Sequence, residues 1–162
     1  MKIIYIHHGH RKIGNPPSKD DDLSKLGIKD AKMVSKLLKL IYIKDKNNLT
    51  AIYTSNFYRC IKTAKLINKY IKLPIIEEER LNEHKANLNE TWLDTQKRIL
   101  AGINEICDKY KNDEIVICVT SGVNIAPFIC KQFNIELTEN TPYIGVPCCS
   151  PIIFDYNKKN IL

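Results

Sequence analysis

The sequence predicts an α/β protein, a three-layer sandwich whose mostly parallel central sheet carries helices on both faces. Two observations lead there. Short β-favouring apolar runs alternate along the chain with segments whose apolar residues recur at spacings of three and four. That alternation implies crossover connections, hence parallel strands buried on both sides. The length sets the scale: 162 residues suffice for one well-buried domain and are too few for two ordinary ones. Residues 1–162 are therefore expected to form a single domain.

The elements follow in order. Strands are expected at Lys2–Ile6, Ala51–Thr54, Ile75–Glu77, Glu114–Val119 and Ile152–Tyr156, each a short run of β-branched or aromatic residues. Leu23, Leu26, Ala31, Val34, Leu37, Leu38 and Ile41 mark the first helix. Ile61, Ala64, Ile67 and Tyr70 mark the second, and Trp92, Ile99, Ile103, Ile106 and Tyr110 a long third. Gly122 to Phe133 reads as the fourth, with Pro127 inside it or near its first turn. The polar stretches Lys12–Asp22 and Lys44–Asn48 read as surface loops.

Composition narrows the class. A hydrophobic fraction of 44% and a charged fraction of 27% are those of a soluble globular chain. No apolar run reaches the 18 or so residues of a membrane span, and the apolar start lacks a signal-peptide cleavage pattern. A cytoplasmic protein with no membrane partner is expected. The six cysteines form no C-x-x-C pair, and Cys107, Cys118 and Cys130 lie among apolar residues as small hydrophobes. The adjacent Cys148 and Cys149 are read in the same way. The net charge of +7 comes from scattered lysines without interleaved aromatics, so nucleic acid is not the expected partner. A field of that sign suits small anionic substrates.

Three of the four histidines fall in "HHGH", residues 7 to 10, directly after the first strand. In open α/β sheets ligands sit at the carboxyl ends of the strands, which is where His7 and His8 lie. The second strand end, "TSNFYR", offers Ser55 or Asn56 as a helix cap and puts Arg59 in the first helical turn, a combination suited to an anion. The "VTSG" end of the fourth strand places Ser121 before the fourth helix. Three turns bearing His, Arg and Ser-Gly can converge on one pocket, and phosphate is its natural guest. A metal at the His7-x-x-His10 spacing lacks an evident further ligand, so none is expected.

These stretches resemble the histidine phosphatase superfamily, the phosphoglycerate-mutase-like group. "YIHHGHR" matches its Arg-His-Gly strand end and "DLSKLGIKDA" its next conserved stretch. "TSNFYRCIKTAKLI" follows, then Leu81-Asn82-Glu83, the helix from Glu90-Thr91-Trp92 to Ile99, and "CVTSGV", all in the family's order. The resemblance implies the phosphoglycerate-mutase-like fold and metal-independent phosphomonoester hydrolysis through a phosphohistidine, with no cofactor. It casts His8 as nucleophile, Arg59 as a phosphate clamp and Glu83 as proton donor to the leaving group. Two positions depart from the pattern: His7 stands for the family's first arginine and Ser121 for its second histidine. Arg11 or Lys62 is then expected to supply the missing charge, and His7, Ser55, Ser121 and Arg11 join Arg59 as candidate phosphate ligands. The alternative reading is a non-catalytic phosphate-binding protein of the same fold.

Overall fold

The computed structural model describes residues 1–12, 21–44, 48–84, 88–137, 145–156 and 160–161. Most of the Lys12–Asp22 stretch and the centre of Lys44–Asn48 lie outside the described residues. Within them the chain runs β1 (Lys2–His7), α1 (Lys25–Lys44), β2 (Leu49–Thr54), α2 (Tyr58–Ile67), β3 (Ile75–Glu77), a 3₁₀ turn (Glu79–Leu81), α3 (Trp92–Asp108), β4 (Ile115–Thr120), α4 (Gly122–Gln132), β5 (Pro151–Asp155) and β6 (Asn160–Ile161). All six strands join one sheet in the order β3-β2-β4-β1-β5-β6. The β1–β4, β2–β4 and β2–β3 pairings are parallel, and β1–β5 and β5–β6 antiparallel. The expected mostly parallel sheet is present, as are all five expected strands and four helices. β6 has two residues, too few to leave a periodic signal.

The period-2 geometry of a strand explains why β1 is apolar throughout. Ile3 and Tyr5 enter one core with Ile99, Ile103 and Ile106 of α3 and Phe128 of α4. Ile4 and Ile6 enter the other with Ala31, Val34 and Leu38 of α1 and Ala64 and Ile67 of α2. β4 divides its residues between the same two cores, so the molecule has a helical layer on each side of the sheet. Cys60, Cys118 and Cys130 are buried, and all six cysteines are free thiols. Burial pushes the Cys60 thiol up to about 12 and Cys118 higher still, so these groups pack as protonated hydrophobes.

Local signals set the helix starts. Ser24 accepts from the Gly27 N–H (3.1 Å) at the head of α1. Thr91 and Asp94 form a reciprocal capping box at the head of α3. Pro127 lies inside α4, and its carbonyl accepts from the buried Gln96 amide at 2.9 Å. Among the described residues no helix is long and apolar enough to cross a membrane.

One close approach joins α1 to the loop after β1. A Cβ on Gly9 would stand 2.8 Å from the Gly27 carbonyl oxygen, and one on Gly27 only 2.2 Å from the His10 carbonyl oxygen. No side chain fits between two backbones at that spacing. Gly27→Ala is accordingly expected to lower the unfolding free energy by about 1–3 kcal/mol, the usual penalty of overpacking. Urea denaturation would measure it, and an unchanged midpoint would mean that the two backbones separate freely.

Candidate active site

The site stands on the carboxyl ends of three adjacent parallel strands. His7 closes β1 opposite Thr120 of β4, and one residue on the His8 N–H donates to the Thr120 carbonyl (2.9 Å). On the other side of β4, the Ser55 N–H donates to the Val119 carbonyl (3.0 Å). The turns carrying His8, Ser55 and Ser121 are thereby brought together, as the strand-end argument requires.

His8 is 6% exposed. Its Nδ1 lies 2.9 Å from the Gly9 carbonyl oxygen, so Nδ1 carries the proton and donates to it. Nε2 is then left with its lone pair and accepts from Arg59 Nε at 3.0 Å. Burial first, and the neighbouring His7 second, lower the His8 pKa to about 3. The ring is neutral throughout the physiological range, with its unprotonated nitrogen defined by the hydrogen bond on the other.

Arg59, 4% exposed, sits in the first turn of α2. It pairs with Glu83 through Nη2 and its guanidinium lies 4.8 Å from the centre of the Phe57 ring. Thr63 locks the turn: its hydroxyl donates to the Arg59 carbonyl (2.7 Å) and accepts from the Gly9 N–H (3.0 Å). One threonine thus ties the loop carrying the imidazole to the helix carrying the guanidinium.

Glu83 follows a segment held from three directions. Asn124 of α4 donates to the carbonyls of Leu81 (2.8 Å) and Asn82 (2.7 Å), and Thr120 donates to Leu81 as well (2.6 Å). Arg98 of α3, paired with Glu90, donates to the carbonyls of Arg80 and Asn82. The Asn82 side-chain oxygen in turn accepts from the Ser55 hydroxyl (2.8 Å) and the Asn56 N–H (3.0 Å). Asn82, Arg98 and Asn124 were not singled out from sequence. Asn82 and Arg98 lay within the motif stretches, while a lone Asn at a helix start carries no distinguishing signal.

The two departures from the family pattern behave differently. The ring of His7 meets that of His8 edge-on, centroids 4.5 Å apart. His7 Nδ1–H donates to the Val146 carbonyl (2.5 Å), and its own carbonyl accepts from the Cys149 N–H (2.9 Å). Desolvation lowers its pKa despite the Val146 bond. Neutral His7 therefore offers an acceptor, not a donor, at Nε2, so it supplies no positive charge. Ser121 is 2% exposed, precedes α4 and makes no capping bond, and its Oγ has no hydrogen-bond partner among the described residues. A buried hydroxyl left this way costs about 1–3 kcal/mol; the Tyr5 hydroxyl and Asn124 Oδ1 are left likewise.

The remaining candidates lie further out. Arg11 is paired with Asp21 at 2.9 Å and acts on His8 only through space. Lys62 is held by Asp22 at 2.5 Å. Ser55 has its hydroxyl engaged by Asn82 and by the Phe57 N–H, which donates to it at 3.3 Å. Its place is in the scaffold of the α2 turn, where the Asn56 and Phe57 N–H groups already have partners. No cluster of three or more potential metal ligands occurs among the described residues.

Comparison with known proteins agrees with the fold. The family model for the histidine phosphatase superfamily, branch 1, matches residues 8–87. Among solved structures, YhfR of Bacillus stearothermophilus superposes with a TM-score of 0.78 at 22% identity, covering 99% of this chain and 94% of that one. A mycobacterial glucosyl-3-phosphoglycerate phosphatase complexed with VO3 gives 0.73 at 17% identity over 99% and 94%. The phosphoserine phosphatase of Entamoeba histolytica, in complex with 3-phosphoglyceric acid, gives 0.68 at 19% over 99% and 93%. No curated protein matches the sequence. Over residues 8–87, just under half of the chain, the sequence is similar to the histidine phosphatase superfamily, and the chain shares the fold of these structures.

Two measurements test the geometry. Unfolded histidine titrates near its ordinary value, about 6.5, whereas folded His8 resists protonation down to about 3. Between those values the unfolded state binds the proton and the folded state does not, so stability falls as pH drops from about 6.5 toward 3. His8 alone adds up to about 1.4 kcal/mol per pH unit to that slope, with His7 adding in the same direction. Urea unfolding between pH 7 and 4 should show the slope, reduced by about one proton in His8→Asn. Separately, Asn82→Ala strands the Ser55 hydroxyl and the Asn56 N–H and should cost about 1–3 kcal/mol. A cost below 0.5 kcal/mol would remove Asn82 from the scaffold.

Proposed function

We propose that the chain is a phosphomonoester hydrolase that passes the phosphoryl group through His8. The observation carrying this reading is the neutral, buried imidazole whose Nδ1–H is committed to Gly9 and whose Nε2 faces Arg59 and its partner Glu83. In the proposed reaction the Nε2 lone pair attacks phosphorus and forms the N–P bond while the bond to the ester oxygen breaks. Glu83, as the acid, delivers its proton to the departing alkoxide. Water then attacks the phosphohistidine, Glu83 takes up a proton from it, and the N–P bond breaks to release phosphate and neutral His8. No metal enters the sequence, as the family resemblance implies.

Arg59 and Ser121 are assigned to the phosphoryl oxygens. The Arg59 N–H groups turn from His8 and Glu83 to the incoming phosphate, and the Ser121 hydroxyl acquires the partner it lacks. His7 joins them as a donor only when protonated. The substrate class is a small phosphate monoester, in line with what the mycobacterial and Entamoeba enzymes are named for. A second reading, phosphate binding without turnover, draws on the neutral His7 and Ser121 where the family pattern has an arginine and a histidine.

Hydrolysis of an aryl phosphate separates the two. Turnover that is abolished in His8→Ala and unaffected by EDTA is expected. Activity surviving His8→Ala would rule the mechanism out, and vanadate binding without turnover would establish the second reading. Restoring the family pattern with His7→Arg plus Ser121→His should raise kcat about tenfold, a fraction of the 10²–10³-fold attached to a preorganised donor. A fall in kcat would mean that the present pair belongs to a different working chemistry.

A further inference from the structure

The lysines scattered through the sequence are gathered by α1 into a row. Lys25, Lys29, Lys32, Lys36 and Lys39 follow one another at spacings of four and three, which places them on one face of the helix. All five are exposed. Lys69 and Tyr70, just past the end of α2, continue the surface: they line with Lys25, Lys29, Lys32 and Lys36 an open groove of about 540 Å³, and the Lys39 and Lys69 ammonium groups lie 5.5 and 5.2 Å from the centre of the Tyr70 ring. The one acid of α1, Asp30, lies elsewhere and acts on Cys148 and Cys149.

A second row runs alongside. Leu26, Met33, Leu37 and Leu40 occur at spacings of seven, four and three, and their exposures are 52, 59, 45 and 66%. The face of α1 that the core needs is supplied separately by Ala31, Val34 and Leu38, and the second apolar row lies outside that core. From Leu26 to Leu40 it extends about 21 Å at 1.5 Å per residue. An apolar row flanked by a lysine row is the pattern of a helix lying in the plane of an anionic bilayer surface, leucines in the acyl boundary and lysines among the headgroup phosphates.

We propose that α1 docks the protein peripherally on anionic membranes through these two rows. The absence of a spanning segment, from which no membrane partner was expected, bears on crossing the bilayer and not on lying against it. Charge decides among occupants. A second copy of the chain would bring five lysines against five lysines, and a nucleic-acid backbone would leave the leucines and the methionine in water. An anionic lipid surface satisfies both rows together. The face lies outside the His8 site, so the assignment stands apart from the proposed hydrolysis.

Flotation of the full chain with phosphatidylglycerol-containing and pure phosphatidylcholine vesicles tests this. Binding is expected only to the anionic vesicles, weakening with salt over the range in which the Debye length shrinks. Each lysine lost should weaken binding roughly fivefold, so replacing Lys25, Lys29, Lys32 and Lys36 by Gln should reduce it by two to three orders of magnitude. Replacing Lys97, Lys109, Lys111 and Lys131 by Gln instead removes the same charge elsewhere and should leave most of the binding. Leu37→Ser with Leu40→Ser should weaken binding about tenfold at unchanged charge, with the thermal midpoint intact because both side chains are exposed. Equal losses from the two lysine sets would overturn the proposal, since net charge alone would then explain binding. Preference for poly-glutamate over the anionic vesicles at equal charge would overturn it in favour of an acidic protein partner.

Discussion

Strand β4 is the constraint from which the site follows. It lies between β1 and β2, parallel to both, and its last two carbonyls accept from Ser55 on one side and His8 on the other. Register in a buried parallel sheet is strict, because a one-residue slip would exchange the residues of the two cores. The same pairing that separates Ile4 from Tyr5 therefore fixes where the chain leaves the sheet at His8 and Ser55. Hydrophobic patterning, with no regard to chemistry, delivers an imidazole and a helix start to one spot.

What completes the site is polar and reaches across layers. Thr120 and Asn124 come from the β4–α4 turn and Arg98 from α3, and all converge on the backbone of Arg80 to Asn82. Bonds of this kind restrict orientation more than they add stability, since each replaces a bond to water. Glu83 is thus placed by its neighbours' carbonyls rather than by an element of its own. That suits a carboxylate which, in the proposed reaction, exchanges partners with Arg59.

The fold was legible because its signals are periodic. Five strands and four helices show as runs and spacings, and the boundaries differ by a few residues where caps such as Ser24 and Thr91 take over from apolar pattern. His8 and Arg59 could be picked out by their place at strand and helix ends and Glu83 by the family resemblance, and the structure puts Arg59 in contact with both of the others. Illegible were the groups whose role depends on distant partners. Nothing around Asn82 says that its amide oxygen will bridge Ser55 and Asn56, and nothing around Arg11 says that Asp21 will hold it. The lysine row was present in the sequence but read as scatter, because a helical face becomes visible only when spacing is followed through the whole of α1.

His7 shows how one side chain ties such a site to its surroundings. Its ring nitrogen and its carbonyl together hold the segment from Val146 to Cys149, where Cys149 adopts the left-handed backbone at φ 57°. An arginine at position 7 would still present the carbonyl to Cys149 but has no ring N–H at the δ position to meet Val146. With the strap resting on an imidazole, an exchange to arginine has to find the strap a new anchor at the same moment. Position 7 is thus coupled to the strap: exchanging the imidazole for a charged side chain takes two changes, one at the site and one at the strap.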